Sequence, residues 1–193
     1  MKVYHSSDPK TARDLVLVLG LGDVRERRRA LLYCWLAMEQ IPKDETPKFA
    51  ADRMLPRLAR WLRLMGADVL CDDALSGAET LKLAREQGRH MLTRDKRLRT
   101  APDVLYIEGH LFRDQIREVM ARFPFDTRRW AFTRCSVCNE VLKQVSREAV
   151  MRRVPPFVYA SHEKFAACER CGRIYWDATH LERALRELDT MGL

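Results

Sequence analysis

Asp52, the Asp72-Asp73 pair and Asp95 each stand just after a short apolar run: Lys48-Phe49-Ala50-Ala51, Ala67 to Cys71, and Arg89-His90-Met91-Leu92-Thr93. Helical patterns fill the gaps, giving a β-α-β-α-β rhythm. Crossovers of that length favour parallel strands, whose carboxyl ends share one edge of a sheet, where open α/β folds place their ligands. Carboxylates distant in sequence then meet. Like charges a few ångströms apart raise one another's pKa, so the cluster is tolerable mainly when a divalent cation offsets it. An oxygen-only ligand set suits Mg²⁺ or Mn²⁺.

The elements that must position these acids read as strand 48–51, helix 53–65, strand 67–71, helix 77–87, strand 89–93, strand 103–107 and helix 110–122. The expected fold class is α/β, a mainly parallel sheet flanked by helices over residues 48–126. Before it, Asp8-Pro9 and Asp23 cap two helical patterns that stop at Gly20 and before Pro42, so residues 1–47 are expected to form a helical hairpin with a short connection. That hairpin is a packing cap, a self-association contact or a site for a protein partner. Residues 127–193 are expected to form a cysteine module closed by a helix over about 179–189, with Leu181, Ala184, Leu185 and Leu188 as its apolar stripe.

Within that module, Cys135-x2-Cys138 and Cys168-x2-Cys171 are separated by 29 residues. Two such knuckles are the pattern of a zinc ribbon, in which four thiolates close a tetrahedral, structural Zn²⁺ site. His162 and His180 are nearby alternatives, but four cysteines already fill the shell. Cys34 and Cys71 lie in apolar runs and read as core thiols. Cysteine usage of this kind points to a reducing cytoplasm. The first residues show no secretory pattern, and the most apolar early stretch, Leu15 to Leu21, is far short of a membrane span.

Lys and Arg outnumber Asp and Glu by 35 to 27, a net charge of +8, which favours polyanionic partners. In helix 53–65, Arg53, Arg57, Arg60 and Arg63 recur every three to four residues, while Leu55, Leu58, Leu62 and Met65 take another face. Starting beside Asp52, this arginine stripe is either a solvated face or a track for a phosphodiester backbone. Lys96, Arg97 and Arg99 add charge just beyond Asp95. Between and after the knuckles, Lys143, Arg147, Arg152, Arg153, Arg170 and Arg173 mix with Phe157, Tyr159, Tyr175 and Trp176, a composition that can neutralise phosphates and stack bases or simply fill a small core.

Phe49-Ala50-Ala51-Asp52-Arg53-Met54-Leu55, then Arg57 to Gly66, then Leu92-Thr93-Arg94-Asp95 resemble the PIN-like ribonuclease family called the Mut-seven C-terminal domain. The cysteine pairs, Gly172-Arg173-Ile174-Tyr175-Trp176 and Thr179-His180 fit the zinc ribbon that follows the nuclease core there. The resemblance covers roughly residues 48–180. It implies a PIN-like core and metal-dependent cleavage of RNA, with Asp52 and Asp95 as Mg²⁺ or Mn²⁺ ligands. The family usually shows more than one acid where this chain has Gly77-Ala78-Glu79, so the second ligand position stays open between Glu79 and the Asp72-Asp73 pair, or Asp73 and Glu79 together. Glu108 is a fourth candidate. Proline replaces the family's common glycine at position 56.

The leading expectation is therefore a metal-dependent ribonuclease. Two other classes remain open: a non-catalytic RNA- or ribosome-associated binding protein, favoured by the thinned acidic segment, and the toxin of a toxin–antitoxin pair. No covalent route competes, since neither serine nor the isolated cysteines have a catalytic partner pattern.

Overall fold

Side chains that alternate along four short strands decide the layers of the fold. The computed structural model describes residues 46–176, with Arg186 and Thr190. The expected N-terminal hairpin, Cys34, His180 and, apart from Arg186, the closing helix lie outside the described residues. In chain order the elements are β1 (Lys48–Ala51), α1 (Pro56–Leu64), β2 (Asp68–Cys71), α2 (Gly77–Glu86), β3 (His90–Thr93), a 3₁₀ turn (Lys96–Leu98), β4 (Val104–Tyr106), α3 (Phe112–Arg122) and α4 (Thr127–Trp130). All three strand pairings are parallel and the sheet order is β2-β1-β3-β4. A parallel sheet flanked by helices is thus present as expected.

Phe49 and Ala51 of β1 turn to one face, where they join Leu58, Leu62, Val69, Leu92 and Ile116. Ala50 turns to the other, against Leu81, Ala84 and Met91. Burying each large apolar side chain of the first layer contributes about 1.5–3 kcal/mol. Helices on both faces follow from this double burial, because a parallel sheet has no wet side.

Helix α1 begins at Pro56, not at residue 53. The Asp52 carboxylate accepts the Met54 N–H at 2.7 Å and the Asp52 carbonyl accepts the Leu55 N–H at 3.0 Å, which makes residues 52–55 a turn. Proline then disfavours helical geometry at Leu55 and supplies the first helical residue itself, since its missing N–H would be unused there. Arg53 is consequently off the helix. At the other end, Gly66 has φ +97°, and a Cβ there would sit 2.2 Å from the Trp130 carbonyl oxygen, so only glycine admits this approach.

The cysteine module adds β5 (Lys143–Val145), α5 (Arg147–Val150), α6 (Pro156–Ser161), β6 (Phe165–Ala167) and β7 (Ile174–Trp176). Its strands form an antiparallel sheet in the order β5-β6-β7. Val150, Val154 and Val158 pack on Phe165 to make a separate small core. The module meets the parallel sheet at edge strand β2. Asn139 Oδ1 accepts the Val69 N–H at 2.9 Å, Arg63 Nε donates to the Val69 carbonyl at 2.9 Å, and another Arg63 nitrogen donates to the Val137 carbonyl at 2.6 Å. Satisfying both polar groups of an edge residue blunts a site of unwanted strand pairing.

Candidate acidic site and cysteine cluster

From β1 the chain moves outward to β2, then returns past β1 to β3 and β4. The strand order reverses between β1 and β3, and the carboxyl ends beside such a switch point form the crevice in which open α/β sheets bind ligands. Asp52 directly follows β1 and Asp95 closely follows β3. The Asp52 N–H donates to the Leu92 carbonyl at 3.0 Å, so the two strand ends are joined at the crevice. Asp72 and Asp73 follow β2 and Glu108 closely follows β4, so every strand of the sheet carries an acid at or just beyond its carboxyl end.

Thr93 links the two central acids. Fully buried, its hydroxyl donates a short hydrogen bond to Asp52 Oδ2 and accepts the Asp95 N–H at 2.9 Å. Asp52 itself is 2 % exposed. Its oxygens accept from the Met54 N–H, the Arg94 N–H and the Thr93 hydroxyl, all neutral donors, and among the described residues no ion pair reaches it. A buried carboxylate without a counter-charge, with room for about one more donor on its lone pairs, fits a hard cation. Asp95 is more open and caps the 3₁₀ turn through the Arg97 N–H at 3.0 Å. Side-chain hydrogen bonds from the Arg97 guanidinium, the shortest 2.6 Å, lower its carboxyl to about 2.

The remaining acids stand differently. Glu79 closes a capping box: its Oε2 accepts the Ser76 N–H at 2.8 Å and the Ser76 hydroxyl at 2.6 Å, while Ser76 Oγ accepts the Glu79 N–H. These bonds hold its carboxyl below the usual range. Asp72 and Asp73 are exposed, and Asp72 starts a turn by accepting the Ala74 N–H. Glu108 pairs with Arg99. Among the described residues, no three acids bring their oxygens within 4.8 Å of one another.

The arginines divide sharply. Arg53, Arg57 and Arg60 are exposed, as are Lys96 and Arg97. Arg63 is 7 % exposed and donates to carbonyls on β2 and the first knuckle, so it holds the fold together where the spacing alone put it on the stripe. Arg94 reaches the Gly109 carbonyl and lies 3.3 Å from His110 Nδ1, tying the loop after β4 to the end of β3. In the cysteine module, Arg147 stacks 4.5 Å over Tyr159, Arg153 donates to the Gly172 carbonyl at 2.6 Å, and Lys143 pairs with Glu169 at 2.8 Å. Phe157 is 71 % exposed, while Tyr159 and Trp176 pack on the module's core.

The sulfurs of Cys135, Cys138, Cys168 and Cys171 lie within 4.8 Å of one another. Three of their separations are 3.3, 3.2 and 3.7 Å. All are too long for a disulfide, and the longest is close to the ~3.8 Å that tetrahedral thiolates at about 2.3 Å from Zn²⁺ would show, the other two being about 0.5 Å shorter. Both knuckles turn alike: the carbonyls of Cys135 and Cys168 accept the N–H of Asn139 and Gly172, which have φ of 67° and 69°. Burial raises the Cys135 thiol, but hydrogen bonds from the Tyr175 hydroxyl, 3.1 Å away, and from the N–H groups of Cys138 and Val137 outweigh it and bring it down to about 6. Burial and the neighbouring sulfurs push Cys138 upward. Four sulfurs in so small a space could hold a cation, and four soft donors with no fifth partner suit structural Zn²⁺. His162 is not part of the cluster.

Sequence reasoning therefore missed Thr93 and Asn139 as organising residues. Thr93 stood inside the Leu92-Thr93-Arg94-Asp95 run, and its position two residues before an acid at a strand end was the available signal. Asn139 carried one too, since asparagine tolerates positive φ at the end of a knuckle. A family model described as the Mut7-C RNAse domain matches residues 47–188, which span the parallel sheet and all four cysteines. No curated protein and no solved structure matches the chain.

Proposed function

We propose, from the premise that this chain belongs to the Mut7-C RNAse domain family, that it is a ribonuclease whose acidic edge works with Mg²⁺ or Mn²⁺. The observation that carries the reading is the placement of Asp52, buried and without a counter-charge, beside Asp95 at the switch point of the sheet. Asp52 and Asp95 would hold the cation, with Asp73 or Glu79 contributing from the flanks. Such an ion, when bound, polarises a phosphate ester and acidifies water. Thr93 keeps the Asp52 carboxylate turned toward β3 and so sets the spacing of the two acids. Arg53, Arg60 and Lys96 line the approach as exposed cations for the RNA backbone, with Arg97, paired to Asp95, beside them, and Zn²⁺ on the four cysteines stabilises the module that leans on β2. Among the described residues no helix is long and apolar enough to cross a membrane.

A second reading, a non-catalytic RNA-binding protein, is favoured by Glu79, whose carboxylate is taken up in capping its own helix. One experiment separates the two. Labelled single-stranded RNA is incubated with the wild type, Asp52→Asn and Asp95→Asn across a Mn²⁺ titration. Loss of cleavage in both variants, with RNA binding and zinc content retained, supports the ribonuclease. A pure wild-type protein that binds RNA and never cleaves it supports the alternative.

A further inference from the structure

Resting on the ribonuclease reading, we infer that Arg57 is a base-stacking residue that receives an unpaired nucleobase of single-stranded RNA, with Phe112 as the residue that positions it. The Arg57 guanidinium carbon lies 4.1 Å from the centroid of the Phe112 ring. Trp61 stacks on the same ring at 5.4 Å with 23° between the planes. Arg57 and Trp61 are one helical turn apart on α1, so one side of that helix and the first residue of α3 build the stack.

Location ties this stack to the acids. Helices that follow parallel strands begin at the carboxyl edge of the sheet, and α1 and α3 follow β1 and β4. Arg57 is only five residues beyond Asp52, and the turn between them is held by the Asp52 carboxylate. Leu111, just before Phe112, is 67 % exposed and adds apolar surface at the same helix start.

The aromatic contact favours a base over a phosphate as the partner. Arg57 is exposed and makes no ion pair among the described residues, so its charge is not consumed within the protein. A guanidinium laid on an aromatic face is planar and already ordered, and planar groups of this kind stack on nucleobases. Bases within an A-form duplex are stacked on their neighbours and offer no free face. The substrate class follows as single-stranded RNA with a base turned out next to the acidic edge.

The test uses the full chain with its zinc and binding without added Mg²⁺ or Mn²⁺, so that recognition is measured apart from cleavage. Arg57→Lys keeps the charge and removes the plane. Phe112→Leu keeps apolar volume against the core and removes the platform. A labelled single-stranded RNA is scanned with one abasic nucleotide at each position. One abasic position is expected to weaken wild-type binding about tenfold. Arg57→Lys and Phe112→Leu should each weaken binding of intact RNA by the same factor, with no further loss on the abasic RNA and an unchanged salt slope. Independent addition of the two losses, or intact RNA bound by Arg57→Lys as tightly as by the wild type, overturns the inference. So does a duplex that binds as tightly as the single strand. RNA that shows the coupling yet is never cleaved sinks the ribonuclease reading alone, whereas cleavage without coupling sinks the stacking residue alone.

Discussion

Asn139 Nδ2 donates to Asp68 Oδ1 at 2.7 Å, joining the residue that ends the first cysteine knuckle to the first residue of edge strand β2. The same side chain accepts the Val69 N–H, and Asp68 also accepts from Arg89 at 2.7 Å, with Arg134 3.8 Å away. Arg63 completes the joint from α1. The knuckle's backbone and its asparagine are therefore part of how β2 is held.

Replacing Asn139 by glycine keeps the positive φ and deletes the amide. The Val69 N–H and one bond to Asp68 then lose their partner, and unfolding free energy should fall by about 1–3 kcal/mol. Asn139→Ala should cost about 1–2 kcal/mol more, since alanine resists φ near 67°. Urea midpoints at fixed zinc concentration check both, and an Asn139→Gly midpoint equal to wild type would dissolve the proposed joint.

One zinc ion per chain is expected on Cys135, Cys138, Cys168 and Cys171, measurable by elemental analysis. Cobalt substitution should give the intense thiolate charge-transfer bands and tetrahedral visible spectrum of a four-sulfur site. A chelator should then lower the melting temperature of the whole sheet-and-module unit, because binding energy of a structural metal is folding energy. A spectrum typical of mixed oxygen and nitrogen ligation would refute the assignment.

Thr93→Val preserves shape and removes the hydroxyl between Asp52 and the Asp95 N–H. Cleavage should drop about 10- to 100-fold, the range seen when a partner that orients a metal ligand is lost. Thr93→Ser should restore most of it. Equal rates for the valine and wild-type proteins would show that Asp52 needs no such support.

Burial raises the Asp68 carboxyl, but hydrogen bonds from Arg89 and Asn139 outweigh it, so its folded pKa lies below the ordinary 3.8. A depressed carboxyl stabilises the fold above its unfolded pKa and loses that contribution as pH falls through the folded value. The stability difference between wild type and Asp68→Asn should hold constant from about pH 7 to about pH 5 and shrink as pH falls below 3.8. Chemical unfolding of both proteins at each pH gives the difference directly, and a gap that widens toward acid would reverse the assigned sign.

Local pattern was enough to determine the order of strands and helices around the acids, because short apolar runs and 3.6-residue spacing depend on near neighbours. The cysteine spacing likewise announced a four-sulfur cluster, and Ser76-x2-Glu79 already had the form of a capping box. What tertiary structure alone decided was partnership across distance. Arg63 has the same spacing as Arg57 and Arg60, yet it is buried because Val69 and Val137 present carbonyls to it from two other parts of the chain. Asp52 stands directly before the expected helix 53–65, but Pro56 displaced the helix start and left its carboxylate to bond Thr93 of β3 and Arg94 just beyond it. Strand order is the physical reason in each case. Side-chain periodicity says which residues face a core, whereas which strands become neighbours is set by packing of the whole sheet, and only that brings Asp52 to Thr93 and Asn139 to Asp68.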